Sequence, residues 1–318
     1  MTILRVLESI FRFDSSVPVN LESLGSRPFS QILFDGKQEI VGARIRTYLL
    51  ERSRIVFQPP TERNYHIFYQ LCAGAPSKER KDLGLDTDVT KFHYLKQGGS
   101  SSTPIPGVDD TEEFRATQHA LSTVGISVEK QWAVFRLLAA MLHLGNVKIV
   151  QLRSDSIIAE DDPGLLLATR FLGVNLAEFR KWTVKKQITT RTEKIIMSLN
   201  AIQATVVRDS VAKFVYACMF EWLVAVVNES LSGENGDAAQ RAEMFIGVLD
   251  IYGFEHFQKV RNKSGPYCKA DTLIQNSFEQ FSINYANEKL QQEVRSILSI
   301  CFIAPNAQGL VQLSRFQA

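Results

Sequence analysis

The stretch Met244-Phe245-Ile246-Gly247-Val248-Leu249, followed directly by Asp250-Ile251-Tyr252-Gly253-Phe254-Glu255, decides the fold class of this chain. A short, unbroken apolar run of this kind predicts a β-strand that is buried on both faces of a sheet. In open α/β sheets, ligands bind beyond the carboxyl ends of such strands. We therefore expect an α/β fold with a ligand site just after Leu249.

The residues that follow this strand can hold a metal ion and an anion. Asp250 can bind a metal ion or its water, and Gly253 allows the backbone to approach an anion without a side chain in the way. Glu255 adds a second carboxylate. These residues predict a loop that senses a γ-phosphate and its Mg²⁺. The alternative is a strand that ends in an ordinary Tyr-Gly turn, which these six residues alone do not exclude.

Length and composition indicate a soluble globular protein. The 318 residues can bury a large core in one to three domains, and 45% are hydrophobic while 22% are charged. The net charge of +2 excludes a polyelectrolyte, so we expect a local charged patch for any charged partner, and no nucleic acid. The apolar stretch from Val211 to Val227 is too short and too charged to predict membrane insertion. The scattered cysteines predict reduced thiols in a cytosolic protein: Cys72, Cys218, Cys268 and Cys301.

Turn signals and hydrophobic periodicity predict strands near the start and helices after them. Asp35-Gly36 is a hairpin signal, and Asp110 with Glu113 predicts a capping box. The predicted elements are strand, turn, strand and strand over 32–57, and helices over 64–72, 110–123, 131–144, 161–173 and 202–231. The last helix is expected to bury one apolar stripe, which consists of Val207, Val211, Phe214, Val215, Cys218 and Trp222.

Several long motifs occur in an order that resembles the myosin motor domain, and most closely fungal class V myosins. They are 48–54 (YLLERSR), 63–71 (RNYHIFYQL), 208–213 (RDSVAK), 276–281 (NSFEQF) and 284–292 (NYANEKLQQ). The resemblance covers residues 31–259 and 276–293. It implies an α/β fold in which an incomplete P-loop NTPase-type sheet carries a large helical portion.

The resemblance also implies roles for the loop after Leu249, which matches the family's switch II. Asp250 lies on the Mg²⁺ side and holds the ion through water, and Gly253 donates its amide to the γ-phosphate of ATP. Glu255 pairs with the switch I arginine and helps to position the attacking water. The sequence contains neither GxxxxGK[ST] nor the switch I motif, so we expect no ATP turnover from this polypeptide alone.

Two functions from different classes therefore stay open. One is a fragment of an actin-based, ATP-driven cytoskeletal motor in the cytoplasm, and the other is a non-enzymatic actin-binding fragment. A third interpretation is an unrelated α/β domain with a switch-like loop that arose by chance. We expect light chains and cargo to bind parts that are absent from this chain.

The start of the chain suggests a coding explanation for the missing switch I. One possible codon sequence for Asn-Asp-Asn-Ser-Ser-Arg-Phe-Gly-Lys, read one base late, encodes residues 1–9 (MTILRVLES). We therefore expect residues 1–30 to be non-native. Val-Arg dipeptides, which an intron donor encodes, begin two further breaks, predicted as a retained intron over 260–275 and a non-native tail over 294–318. The alternative is genuine insertions, and the sequence of the spliced transcript decides between them.

A basic segment from Arg180 to Lys194 matches the family's actin-contacting loop. Unaided, it would be interpreted as a solvated surface loop. The resemblance assigns actin contacts to Lys185, Lys186, Arg191, Glu193 and Lys194. The family places an acidic or phosphorylatable residue sixteen positions before the Asp of Asp-x-x-x-Lys, which is here Glu193 before Asp209. A fixed acid supplies that charge without phosphorylation.

Residues 276–293 resemble the relay helix that follows switch II. Phe278, Phe281 and Tyr285 recur at helical spacing and predict one apolar stripe. The resemblance implies that this helix couples phosphate sensing to movement of the motor. The alternative is an ordinary amphipathic core helix.

Overall fold

A computed structural model describes residues 26–58, 62–97, 105, 107–189, 193–232, 236–249, 254 and 278–303. The chain forms two compact units, Met1–Asp250 and Ile251–Ala318. The strands of the first unit are β1 (Ser26–Phe34), β2 (Ile40–Leu50), β3 (Val150–Gln151), β4 (Ser156–Ile157), β5 (Lys185–Thr189), β6 (Lys194–Ser198) and β7 (Met244–Leu249). Its helices are α1 (His66–Gly74), α2 (Ser77–Asp82), α3 (Asp110–Thr123), α4 (Val128–Asn146), α5 (Pro163–Leu172), α6 (Leu176–Val184), α7 (Ala201–Ser230) and α8 (Ala238–Arg241). The second unit contains α9 (Phe278–Ile303).

The main sheet has three strands in the order β2-β1-β7. The predicted hairpin between β1 and β2 is confirmed, and its turn is held by the Asp35 carboxylate, which accepts from the backbone N–H groups of Lys37 and Glu39 at 2.9 Å each. The third predicted strand is wrong, because Arg52–Ile55 form a 3-10 helix. This turn buries the Arg54 guanidinium, which pairs with Glu51 at 3.0 Å and with Glu62 at 2.6 Å. An extended strand does not bring both carboxylates to one buried cation.

Strand β7 occupies the predicted residues, but the prediction that it is buried on both faces is wrong. Phe245, Ile246 and Val248 are each 57% exposed. Among the described strands β7 pairs with β1 alone, and the pairing is antiparallel, with Leu249 opposite Phe29. Among the described helices, α7 contacts β2 and α8 contacts β2 and β1, and the side chains of β7 stay largely exposed.

The predicted helices of the first unit are confirmed to within a few residues at each end. The predicted capping box of α3 is wrong, since the cap is Asp109, whose carboxylate accepts from the N–H of Thr111 at 2.8 Å. Asp110 instead forms an ion pair with the buried Arg63 at 2.7 Å. Gly173 ends α5 with a φ of 68°, a conformation that favours glycine.

The core of the first unit surrounds α1, whose residues from His66 to Cys72 are all buried. The ring of Tyr65 stacks on Tyr216 of α7, with centroids 4.8 Å apart. The amide of Asn64 donates to the carbonyls of Ile55 and Tyr94 at 3.0 Å each. Each large buried side chain contributes about 1.5–3 kcal/mol through the hydrophobic effect, so this core fixes α1 and α7 against each other.

Helix α7 has apolar side chains on every side, and the structure buries a different face from the one that the sequence predicted. Its buried residues include Ala212, Tyr216 and Phe220. The predicted buried stripe is wrong, because Phe214 is 66% and Trp222 is 39% exposed. They line an apolar groove of about 430 Å³ with α4, α5, α6 and the residues between α5 and α6.

Length and composition alone would allow α7 to cross a membrane, and no other helix among the described residues passes that test. Its contacts are those of a core helix instead. The buried Arg208 forms an ion pair with Asp209 at 2.8 Å and donates to the carbonyls of Gly145 and Val147 at 3.3 Å each. The hydroxyl of Tyr94 donates to the same carboxylate at 2.6 Å.

The carboxyl end of α7 is fixed to the sheet by one side chain. The Asn228 amide donates to the carbonyl of Ile45 at 2.9 Å and accepts from the N–H of Ile45 at 2.7 Å. The carbonyl of Leu231, just past the helix, accepts from the N–H of Ala43 at 3.1 Å. The helix therefore connects the sheet to the region around its first residue, Ala201.

Candidate functional site

The basic segment forms a two-stranded hairpin that connects α6 to α7. Strands β5 and β6 pair antiparallel, with Lys185 opposite Ser198 and Thr189 opposite Lys194. All ten residues of the two strands are exposed. The sequence predicted a basic loop here, and the structure shows a regular hairpin that presents its side chains to solvent.

The register of the hairpin separates its side chains into two faces. Side chains alternate along a strand, and opposite residues share a face. Lys185 and Lys194 therefore lie on one face of the hairpin. Lys186 lies on the other, with an apolar set consisting of Ile188, Ile195 and Met197. These three apolar side chains are 42–44% exposed, so the second face combines a cation with an uncovered apolar surface.

The structure describes four of the five predicted contact residues. Lys185, Lys186, Glu193 and Lys194 are exposed on the hairpin, whereas Arg191 lies outside the described residues. The sequence reasoning missed the apolar residues Ile188, Ile195 and Met197. The signal available in the sequence was the short apolar run Ile195-Ile196-Met197, because such a run predicts a strand but does not show which of its residues share a face.

The base of the hairpin is buried and hydrogen-bonded. Val184 and Leu199, the residues that flank the two strands, belong to a small core, and the N–H of Leu199 donates to the carbonyl of Val184 at 2.9 Å. The first turn of α7 follows directly. Its cap is a reciprocal capping box, in which Asn200 and Gln203 each bond the other's backbone N–H, at 2.9 and 3.2 Å. A buried base and a capped helix give the hairpin a fixed starting direction.

The predicted phosphate-sensing residues Asp250, Gly253 and Glu255 lie outside the described residues. What the structure does describe is the strand before them, which ends at Leu249, one residue before Asp250. Within the described part of the chain, there is no group of three His, Cys, Asp or Glu side chains that could hold a metal ion.

The predicted coupling residues lie in α9, which begins at Phe278 and continues without a break to Ile303. The rings of Phe281 and Tyr285 stack with centroids 6.1 Å apart and planes 19° apart. Both side chains are more than half exposed, at 65% and 55%, while Ile283 and Asn287 on the same helix are buried. The side chain of Phe278 lies outside the described part of the chain.

The large pKa shifts of the first unit have a structural origin in its core. Burial raises the pKa of the Cys72 thiol to about 12, which makes it an inert core side chain. Burial also raises the pKa of Tyr94 and lowers that of His143, whose Nε2 lies 2.8 Å from the carbonyl of Leu83. None of these groups belongs to the hairpin, whose described side chains present charge and apolar surface to solvent.

Comparison with known proteins agrees with the resemblance. The family model described as myosin head (motor domain) matches residues 25–300. Myosin-2 of Lachancea kluyveri is 54% identical over 265 residues, and Myosin-2 of Saccharomyces cerevisiae is 52% identical over the same length. Myosin-52 of Schizosaccharomyces pombe is 51% identical. Each of these alignments covers 83% of this chain and 16% of the relative, so the chain spans about a sixth of their length.

Proposed function

Because the chain belongs to the myosin head (motor domain) family, we propose that it is part of an ATP-driven motor that moves on actin filaments in the cytoplasmic cytoskeleton. Its proposed ligands are ATP with Mg²⁺ and the actin filament. Bound Mg-ATP supplies the phosphate transfer that drives such a motor. In this chain Asp250 would hold the metal through water, and Gly253 would offer its amide to the terminal phosphate. The support for this site is its position directly after a strand that ends at Leu249.

We propose that the hairpin of β5 and β6 contacts the filament, and the geometry of this hairpin is the observation that carries the proposal. Lys185 and Lys194 on one face can attract an acidic surface and raise the rate of association. Ile188, Ile195 and Met197 on the other face can lose water on contact. A hairpin with ten exposed residues on a buried base is suited to docking against a large partner.

Co-sedimentation of the 318-residue chain with filamentous actin tests this proposal. Replacing both Lys185 and Lys186 by Ala should weaken binding by about three- to thirtyfold, since each exposed cation contributes a few tenths to one kcal/mol. The affinity should also depend less on salt, because fewer charges are paired. The two lysines lie on opposite faces, so the double variant tests the hairpin as a whole.

A matched control is available on α2, where Lys78 and Lys81 are exposed. The variant K78A/K81A removes the same two charges far along the chain from the hairpin. It should bind actin as the unchanged protein does. Equal weakening by both double variants would show a general effect of net charge and would contradict a specific contact.

We further propose that a polypeptide of this sequence binds actin without hydrolysing ATP by itself. Positioning of the phosphates in this family needs a P-loop lysine and a hydroxyl that binds Mg²⁺, and the 318 residues contain no GxxxxGK[ST]. Phosphate release from Mg-ATP should stay at the background rate with or without actin. A rate that rises with actin concentration would refute this proposal and favour an active motor.

We propose that Phe281 and Tyr285 on α9 take part in coupling. Their support is the exposed, stacked ring pair on an unbroken helix of 26 residues. Replacing either ring by Ala should leave actin binding by the hairpin unchanged, because the two sites belong to different units. Loss of actin affinity in F281A would contradict this division of roles.

A further inference from the structure

Two side chains of the β3–β4 hairpin bond the residues at which the β5–β6 hairpin joins α7. The first is Ser156, whose hydroxyl donates to the carbonyl of Leu199 at 2.8 Å. Both residues are only 4% exposed. An acceptor buried this deeply is costly to leave without a partner, so the bond fixes the exit of β6 from the hairpin.

The second side chain is Gln151, which joins two backbone segments through the two ends of its amide. Its oxygen accepts from the N–H of Ala201 at 2.6 Å. Its nitrogen donates to the carbonyls of Leu152 at 2.6 Å and Asp155 at 3.1 Å, within the β3–β4 turn. Gln151 therefore connects the shape of that turn to the first residue of α7.

The bond to Ala201 adds to the cap of α7. The first N–H groups of a helix have no partner within the helix, and an exposed start frays. In α7 the capping box of Asn200 and Gln203 bonds two backbone N–H groups, and Gln151 binds the N–H of Ala201. Ser198, the last residue of β6, lies three positions before the start of this helix. Fraying at Ala201 would therefore release the hairpin at its root.

We propose that Gln151 and Ser156 are positioning residues that set the direction of the β5–β6 hairpin for its contact with the filament. This inference rests on the proposed actin contact of that hairpin. Neither residue needs to touch actin in this role, because each acts through the backbone at Leu199 or Ala201. The β5–β6 hairpin still makes the contact with actin, and the β3–β4 turn helps to set the affinity of that contact.

The test uses variants of the full chain with two measurements, actin affinity and hydrogen exchange of the backbone amides. S156A should weaken actin binding by about three- to tenfold, the factor that corresponds to one hydrogen bond of average strength. Amides of residues 185–189 and 194–198 should exchange faster in the same variant. The control is S154A, because Ser154 is exposed in the same turn and its hydroxyl donates only to Asp155, at 2.8 Å.

Variants at Gln151 keep the test decisive if S156A folds poorly, since Gln151 is exposed. Q151A should speed exchange at the Ala201 amide and weaken actin binding. Q151E keeps an acceptor for Ala201 and places a negative charge at a helix start, which is favourable. It loses the donor to the carbonyls of Leu152 and Asp155, so it should restore slow exchange at the Ala201 amide and part of the affinity, while the β3–β4 turn stays as mobile as in Q151A. Fast exchange at Ala201 in Q151E would contradict the role of this bond.

The outcomes separate this inference from the proposed function. If the unchanged chain does not bind actin, the proposed function is refuted, and the positioning role falls with it. If the unchanged chain binds and K185A/K186A weakens it, while S156A and Q151A bind normally with unchanged exchange, the positioning inference alone is wrong. Weak binding together with faster hairpin exchange in both Q151A and S156A supports it.

Discussion

The strongest prediction for stability concerns Asp209, whose carboxylate joins α7 to the segment that contains Tyr94. It accepts from the Arg208 guanidinium at 2.9 and 2.8 Å and from the Tyr94 hydroxyl at 2.6 Å. The Arg208 side chain is 7% exposed, so truncating Asp209 leaves a buried cation with only two carbonyl partners, at 3.3 Å each. Breaking a buried pair in this way costs about 3–5 kcal/mol, and we expect this loss for D209A.

Two milder variants divide that energy. Y94F removes a single hydrogen bond to a charged group and should cost about 1.5–3 kcal/mol. D209N keeps an acceptor but loses the charge, so its cost should lie between those of Y94F and D209A. The native state of a domain is stable by about 5–15 kcal/mol, so D209A is expected to need low temperature for measurement while Y94F folds normally.

Urea unfolding followed by tryptophan fluorescence measures these costs for the first unit alone. All three tryptophans of the chain, Trp132, Trp182 and Trp222, belong to it. The control is E112A, which breaks an exposed ion pair to Arg115 whose side chains are 68% and 65% exposed and should change stability by less than about 0.5 kcal/mol. If D209A loses no more free energy of unfolding than E112A, the inferred role of the buried pair is wrong.

Three further predictions follow from single positions and use the same unfolding assay. G84A should lower the free energy of unfolding more than G173A. Both glycines have positive φ, but a Cβ at Gly84 would lie 2.9 Å from the Leu167 side chain, whereas one at Gly173 meets nothing within 4 Å and should cost only the backbone strain of about 1–2 kcal/mol. Equal losses of stability would contradict this difference in packing. Burial lowers the pKa of His143 below its ordinary 6.5, so the stability it contributes is complete above that pH and is lost as pH falls through 6.5 toward the lowered pKa; H143Q should flatten this acid slope, and an unchanged slope would refute the assignment. F220A should cost about 3–5 kcal/mol and F214A far less, because Phe220 is 2% and Phe214 is 66% exposed; the reverse order would show that the groove face of α7 is covered in solution.

The sequence predicted where most elements of the first unit lie, because their signals are local. Asp35-Gly36 marked the turn between the first two strands, and the predicted helix over 161–173 stopped at Gly173, which the structure shows to end α5 with a positive φ. Arg54 shows the limit of local signals. Strand-forming neighbours predicted a third strand, but a buried guanidinium with two carboxylate partners required a tight turn, and one of them, Glu62, lies eight positions further along the chain. A local pattern does not contain that pairing.

Burial was harder to predict than secondary structure. Helix α7 has apolar residues on every side, so periodicity identified a helix without showing which face packs inward. The face with Phe214 and Trp222 was chosen, and the structure buries the one with Tyr216 and Phe220. The burial of strand β7 was predicted wrongly for a related reason. An apolar run predicts a strand, but burial of that strand depends on the elements that pack on its faces, which the run itself does not specify.

The candidate site was predicted in part, and the missing part is geometric. The basic residues of the hairpin were found through family resemblance and their charge. The apolar face was not, because it exists only once β5 and β6 pair in register and bring Ile188 opposite Ile195. The roles of Gln151 and Ser156 also depend on a distant pairing, since they bond residues more than forty positions away.

The two hydrogen bonds between Asn228 and Ile45 affect where a further strand can join the three-stranded sheet. The outward-facing N–H of Ala43 bonds the carbonyl of Leu231, and both backbone groups of Ile45 bond the side chain of Asn228. At these two residues the outer edge of β2 is therefore already hydrogen-bonded, as it would be beside another strand. Unsatisfied strand edges recruit other strands. Among the described strands, the edge of β7 that faces away from β1 is therefore the one left for an additional strand, which would lie beside Leu249, the residue before Asp250 in the sequence.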